Sequence, residues 1–321
     1  MIYIEDNIND LFLKLYSDIM SFGEESSPRG LKIKEIIAPR ICLTNPRNRL
    51  IFNEIRKTDI YYAIGEFLWY MSGKNHLNHI QYYAPSISKF SDDGKTLNSA
   101  YGWNIFNRYG VDQFQACIDI LRDDKDSRQA VIMMRSPEQV VLKTKDQICT
   151  NSLHFMIREN RLNLIVNMRS NDLWYGFVYD VFCFTLLQEL MAYILDVELG
   201  VYYHIPNSLH VYEPQFYYKK LNITSDIITQ MNILTFNLSL TSDTTISETV
   251  SIESRIRSYE TKNIDVLIAS IQSNLILTNF WKDLLYVLLC YKNTSEITKV
   301  KKLITDKSLI YFLEDKYENS K

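Results

Sequence analysis

Asn167-Met168-Arg169-Ser170-Asn171-Asp172-Leu173-Trp174-Tyr175-Gly176 is a polar stretch set between apolar segments, and its flanks decide the fold. Upstream, Leu153 to Ile157 and Leu162 to Met168 alternate around Glu159-Asn160, which predicts a β-hairpin. Downstream, Val178 to Leu195 is almost wholly apolar, which predicts a long helix central in the core. Val197 to His204 and Ser208 to Val211 follow as strands. Alternating strands and helices are consistent with an α/β protein. A strand end that meets a helix start also points backbone N–H groups outward, as an anion site does, although a polar loop with a helix cap reads the same way.

Outward from this centre, Asn7 to Met20 has helical apolar spacing and Gly23 where the helix would stop. Leu31 to Leu43 is Ile-rich and reads as a strand pair or one long bent strand. Ile60 to Met71 predicts an apolar helix carrying one acid, Glu66, and ended by Gly73. Ile80 to Ala100 reads as loop with short helical pieces, Val111 to Arg122 as a helix and Gln129 to Met134 as a strand. After Pro214 the composition changes: Leu221 to Ser251 is rich in Thr, Ser, Ile and Asn. Ile264 to Leu277, Phe280 to Tyr291 and Ile297 to Phe312 then read as helices.

Thirty-five basic residues against 38 acidic ones give a net charge of −3, so no surface built to coat a nucleic acid is expected. With 46% hydrophobic and 23% charged residues among 321, the chain can bury a full core. No apolar run reads as long enough to span a bilayer. Glu5, Asp6, Asp10 and Asp18 make the first residues unlike a signal peptide. The cysteines Cys42, Cys117, Cys149, Cys183 and Cys290 are far apart and lack metal-ligand spacing, which suits reduced thiols in a cytoplasmic protein without a metal.

Four polar clusters interrupt apolar elements. Glu66 sits within Ala63-Ile64-Gly65-Glu66-Phe67-Leu68-Trp69, either on a helix surface or buried and suited to proton transfer. Cys149, in Gln147-Ile148-Cys149-Thr150-Asn151-Ser152, is a small buried hydrophobe or a nucleophile, and the latter needs a nearby cation. Arg169 is placed to supply that charge. Asp180 falls in the first turn of the central helix, where a carboxylate also suits the helix dipole. Alternation puts Ser208, His210 and Tyr212 on one strand face, as a sugar contact or a satisfied core histidine.

Together and in this order, these clusters resemble the thymidylate synthase family from about Phe22 to Tyr212. The resemblance rests on the Glu66 helix, Tyr101-Gly102-Trp103, Asp126-Ser127-Arg128, Cys149, Arg169-Ser170-Asn171-Asp172 with Gly176, and His210-Val211-Tyr212. Asn98 to Trp103, Cys149-Thr150-Asn151, Asn167 to Phe177 and Asn207 to Tyr212 are most similar to its deoxycytidylate hydroxymethylase branch. Asp180 stands where synthases hold a base-reading Asn, and Thr150 where they usually hold His. A carboxylate accepts from the cytosine N4 amino group, and sharing a proton with N3 would make C6 more electrophilic.

The resemblance implies a three-layer α/β fold with a mixed sheet, a sheet-to-sheet homodimer and a core over residues 1–214. The tail over 215–321 does not resemble the family's usual ending and is expected, by its own helical patterning, to be a mostly helical extension packed on the core. It implies Cys149 as nucleophile on C6, Glu66 as proton manager through water with Tyr101 nearby, and Asp180 as base contact. It implies 5,10-methylenetetrahydrofolate as one-carbon donor against Asp172, Gly176 and Phe90. Arg29, Arg169 and Ser170 are implied phosphate contacts, joined by Arg128 from the second subunit, and His210 and Tyr212 are implied sugar contacts. Gln129 replaces the second of the family's paired arginines, and Ile87 and Phe90 replace tryptophans on the folate side. The reaction implied is 5-hydroxymethylation of dCMP, or of CMP. Alternatives are methylation of dUMP or UMP, and a nucleotide-binding homologue without catalysis.

Overall fold

The computed structural model describes the chain apart from residues 54–55, 217–229, 237–240, 259–263 and 319–321. It divides into two compact units, Met1–Thr58 with Arg108–Gln230, and Asp59–Asn107 with Met231–Lys321.

The first unit holds two mixed sheets. One runs in the order β1 (Ile2–Glu5), β4 (Arg40–Leu43), β9 (Glu198–Pro206), β7 (Arg161–Met168), β6 (Thr150–Arg158), β5 (Val131–Met133). The other runs β2 (Glu24–Ser26), β3 (Ile33–Ile37), β10 (Ser208–Tyr212), β8 (Asn171–Asp172). The Leu31 to Leu43 stretch is thus two strands in different sheets, parted where Ala38 takes a φ of 48°. The β6–β7 hairpin turns at Glu159 and Asn160, with φ of 51° and 56°. Positive φ at both central residues gives the turn whose twist matches paired strands.

The helix Val178–Ile194 packs on β7 and β9, whose inward residues Leu162, Leu164, Val166 and Tyr202 are all buried. It continues a π-helical turn, Leu173–Phe177. The combined Leu173–Ile194 segment is long and apolar enough to cross a membrane by length and composition alone, contrary to the expectation that no run is, yet 89% of its apolar window is buried inside the protein.

The second unit is helical among its described residues. Ile60–Met71, capped by the Asp59 carboxylate on the Tyr61 and Tyr62 N–H groups, is packed by Ser242–Ser258 and Asn279–Leu289. A helix this apolar needs cover on several faces. The division therefore differs from the expected 1–214 and 215–321: tail helices share a unit with residues 59–107. Phe67 stacks on the fully buried Trp281 at 6.4 Å. Of the Leu221 to Ser251 stretch, much lies outside the described residues. Its last part starts the helix Ser242–Ser258, where Thr245, Thr249, Ile252 and Ile256 are buried at helical spacing. The expected helix Ile297 to Phe312 is broken into Ile297–Val300, a 3-10 turn and Lys307–Glu318. Two buried carboxylates capture the backbone between: Asp283 accepts from Asp306 N at 2.9 Å, and Asp306 from Ser308 N at 2.9 Å.

Candidate active site

The strand ends gather the polar stretch. Cys149 precedes β6, Arg169 follows β7, and Arg169 N donates to Cys149 O at 2.9 Å, extending the ladder by one bond. In the four-stranded sheet His210 lies opposite Asp172 on one side and Glu35 on the other.

Cys149 is half-buried, whereas the other four cysteines are buried. The Arg169 guanidinium holds its loop: Nε donates to Ile148 O at 2.9 Å and Nη2 to Gln147 O at 3.0 Å, with Nη2 3.5 Å from Cys149 Sγ. Burial pushes the Cys149 thiol up from its ordinary value, the Asp180 and Asp146 charges add to this, and Arg169 is the strongest opposing influence. The cation expected beside Cys149 is present, and burial outweighs it.

Arg169 also lines a cavity of about 450 Å³ together with Arg29, Ser170, His210 and Tyr212. These are five of the expected nucleotide contacts, and the alternation on β10 brings Ser208 to the same wall. Arg29 takes a φ of 55° in the turn Pro28–Gly30. Burial lowers the His210 pKa, so the ring is neutral near pH 7. Glu35, also on the wall, accepts from Ser26 Oγ at 2.8 Å and from Ser208 Oγ.

Asp180 is buried and belongs to a chain of hydrogen bonds. Asn171 Nδ2 donates to Asp180 Oδ2 at 2.7 Å, Asn171 Oδ1 meets His204 Nε2 at 2.8 Å, and His204 Nδ1 meets Tyr202 OH at 2.8 Å. The order is self-consistent. A carboxylate requires the amide NH₂, so the amide oxygen faces a protonated Nε2 and Nδ1 accepts from the phenol. Burial drives His204 down to about 3, which keeps the ring neutral and suits that tautomer. Burial, with the nearby Asp172 charge, pushes Asp180 up to about 7 against the Asn171 hydrogen bond.

Asp172 caps the π-helical turn through Trp174 N at 2.8 Å, and burial pushes it up to about 6. Gly176 stands against the buried pair: a Cβ there would lie 2.7 Å from Asn171 Nδ2 and 3.5 Å from Asp180 Oδ2. Arg128 is exposed on the turn before β5 and is not on the cavity wall. Glu66, Tyr101 and Phe90 fall in the second unit. There Glu66 is half-buried and accepts from Tyr62 OH at 2.8 Å, Tyr101 lies 5.5 Å from the Tyr70 ring, and Phe90 is exposed with Lys89 Nζ 4.9 Å from its ring centre.

Sequence reasoning missed Asn171 as the carboxylate's holder, His204 and Tyr202 behind it, and the wall residues Glu35, Gln147 and Arg135. Tyr202 and His204 share a face of β9, so alternation would have paired them. Nothing in the local sequence marks Arg135.

A six-stranded mixed sheet under a buried helix, with a thiol and a guanidinium at its strand ends, has a counterpart among known families. The thymidylate synthase family matches residues 10–268, most of the chain, and the chain belongs to that family. It is 34% identical over 232 residues to a deoxyuridylate hydroxymethyltransferase of Bacillus phage SP01, covering 68% of this chain and 59% of that protein. It is 32% identical over 184 residues to a protein of the same name from Delftia phage PhiW-14, covering 53% of this chain and 51% of that one. A deoxycytidylate 5-hydroxymethyltransferase of Enterobacteria phage T4 is 28% identical over 200 residues, covering 59% of this chain and 79% of that protein. The chain thus spans between half and three-fifths of the first two relatives.

Proposed function

We propose that this chain transfers a hydroxymethyl group to C5 of a cytidine monophosphate, dCMP before CMP. The observation that carries the base is Asp180, a buried carboxyl whose Oδ2 is held by Asn171 and whose pKa is raised to about 7. A carboxyl that shares its proton near neutrality accepts from the N4 amino group when charged and donates to N3 when protonated. Protonation at N3 draws electrons from the ring and favours thiolate attack at C6.

In this reading Cys149 forms the C6–S bond and C5 becomes the nucleophile. Arg169 offsets the burial of the thiol, and the arginines of the cavity wall fix the phosphate, since guanidinium–phosphate pairs set orientation as well as affinity. His210 and Tyr212 meet the sugar, and Glu66 with Tyr101 moves protons through water. 5,10-Methylenetetrahydrofolate would supply a one-carbon unit at the formaldehyde oxidation level. Asp172 fits an N–H-rich pterin as a half-buried carboxylate, and Gly176 and Phe90 are its proposed neighbours. In the transfer C5 loses its proton and tetrahydrofolate would be the leaving group. Water then adds to the resulting exocyclic methylene to complete the hydroxymethyl group, and the C6–S bond breaks to release Cys149. The half-buried residues Ile165, Val201, Tyr203 and Ile205, on the sheet face opposite the central helix, support a homodimer in which Arg128 serves the neighbouring site.

A second reading, hydroxymethylation of dUMP, is favoured by the names of the relatives at 34% and 32% identity. One incubation separates the two. Protein, 5,10-methylenetetrahydrofolate and an equal mixture of dCMP, CMP, dUMP and UMP are combined, and product masses are read. Formaldehyde mass gained on a cytidine nucleotide is the expected result. The same gain on a uridine nucleotide supports the second reading, and a methyl gain there means synthase chemistry. Bound nucleotide without product would indicate a non-catalytic binder. Asp180→Asn is expected to move preference toward the uracil nucleotide.

A further inference from the structure

Arg135 lies two residues beyond β5, where Met134 N and Arg135 N both donate to Asn151 O, at 2.9 and 3.4 Å. This bifurcated contact pins the chain beside the start of β6, two residues from Cys149. The Arg135 side chain lines the same cavity as Arg29 and Arg169. Its Nε is buried and without a hydrogen-bond partner, and among the described residues Arg135 makes no ion pair. A buried donor of a charged group left unmatched is costly, and here it belongs to a guanidinium whose residue lines the cavity.

A count of donors sharpens this. A guanidinium offers five N–H groups. Arg169 directs three of them to Ile148 O, Gln147 O and Cys149 Sγ. Its Nη1 is what remains for an anion. Three guanidiniums face one carboxylate on the wall, and that carboxylate, Glu35, is already engaged by Ser26 and Ser208. The His210 ring adds no charge near pH 7, its pKa being lowered by burial. The excess of positive charge suits a phosphate monoester, which carries between about one and a half and two negative charges at neutrality.

We infer that Arg135 is a phosphate-anchoring residue of the nucleotide site, supplied by the same chain as Cys149. The inference rests on the nucleotide reading above. It also gives the site a cation where Gln129 replaces the second of the paired arginines. Arg135 binds the monoester through its free donors, while Arg169 is held chiefly to the Cys149 loop.

The test uses the full chain, Arg135→Gln and Arg135→Lys, with unliganded melting to check folding. Calorimetry reads affinity for dCMP, dUMP and the two deoxynucleosides, and thermal protection reads inorganic phosphate. Arg135→Gln is expected to weaken the nucleotides by roughly tenfold to a hundredfold, the scale of a charge-assisted hydrogen bond. It should also remove protection by phosphate and leave nucleoside affinity alone. Arg135→Lys should fall between, because an ammonium keeps the charge without the fork. Nucleotide binding unchanged in both variants would overturn the role of Arg135 and leave the proposed reaction standing. Arg135-dependent phosphate protection without pyrimidine nucleotide binding would support the anchor and overturn the proposed reaction. Neither phosphate nor nucleotide binding by the parent would overturn both.

Discussion

The Asn171 amide reaches the Asp180 carboxylate through space that Gly176 leaves open, since a Cβ at Gly176 would come within 2.7 Å of Asn171 Nδ2. The glycine is thus a steric requirement of the buried polar chain from Asp180 to Tyr202. Gly176→Ala should push the amide off the carboxylate and leave a buried acceptor poorly matched. A loss of about 1–3 kcal/mol is expected in chemical denaturation, the usual scale of overpacking in a tight interior. Under the proposed role of Asp180 in reading the base, discrimination between dCMP and dUMP should shrink in the same variant. An alanine protein with parental stability and base preference would remove Gly176 from this role.

Asp180 predicts a pH dependence with a definite sign. Its folded pKa, about 7, lies above the ordinary carboxylate value, because burial penalises the charge. Between about pH 4 and pH 7 the unfolded chain has released this proton and the folded chain still holds it. The unfolded state then binds fewer protons, so stability falls as pH rises through that window and levels off above it. A shift of this size corresponds to a loss on the order of 4 kcal/mol. Asp172, pushed up to about 6 by burial, adds a decline of the same sign ending lower in the window. Asp180→Asn should flatten the slope of unfolding free energy against pH between about pH 4 and 7. A variant with the parental slope would show that Asp180 is not the titrating group.

Thiol labelling tests the Cys149–Arg169 pair. Cys149 is the half-buried thiol and the other four cysteines are buried, so iodoacetamide should modify Cys149 first in the native protein. Only the thiolate reacts, and Arg169 is the main influence lowering this pKa against burial. Arg169→Gln should therefore move the labelling profile to higher pH and slow labelling at pH 8. It should also loosen the loop, since the carbonyls of Gln147 and Ile148 lose their donor. An unshifted profile would mean that the guanidinium does not act on the sulfur.

Periodicity exposed the elements that bury one face. The β6–β7 hairpin, the Val178–Ile194 helix and the Ser208, His210, Tyr212 face of β10 could all be read from it. Cys149 and Arg169 could be singled out because polar residues there interrupt apolar runs. What escaped depends on long-range pairing. His204, with Tyr202 behind it, meets Asn171 only because β9 lies parallel to β7, and Arg135 reaches the cavity only because β5 pairs with β6. The Ser242–Ser258 helix escaped for a different reason. Thr and Ser have poor intrinsic helix propensity, and the helix Ser242–Ser258 forms by burying Thr245, Thr249, Ile252 and Ile256.

That same helix carries a buried carboxylate, Glu253, whose partners predict the stability of the second unit. Tyr83 OH donates to Glu253 Oε1 at 2.7 Å and Arg257 Nε donates at 2.6 Å. His79 Nε2 lies 3.5 Å away, and burial keeps that ring neutral, so Arg257 is the cation of the group. Burial pushes Glu253 above its ordinary value, and Arg257 is the largest opposing influence. Removing the cation leaves a buried charge uncompensated, a change that costs about 3–5 kcal/mol. Arg257→Met should therefore destabilise the protein strongly, and Arg257→Met with Glu253→Gln should recover much of the loss, because no charge is then stranded. The ring geometry offers an independent check, since a Cβ at Gly65 would sit 2.4 Å from Tyr83 Cδ2. Gly65→Ala should displace the phenol from Glu253 and lower the melting temperature. If the double variant is no more stable than Arg257→Met, the arginine acts through packing of its stem and not through its charge.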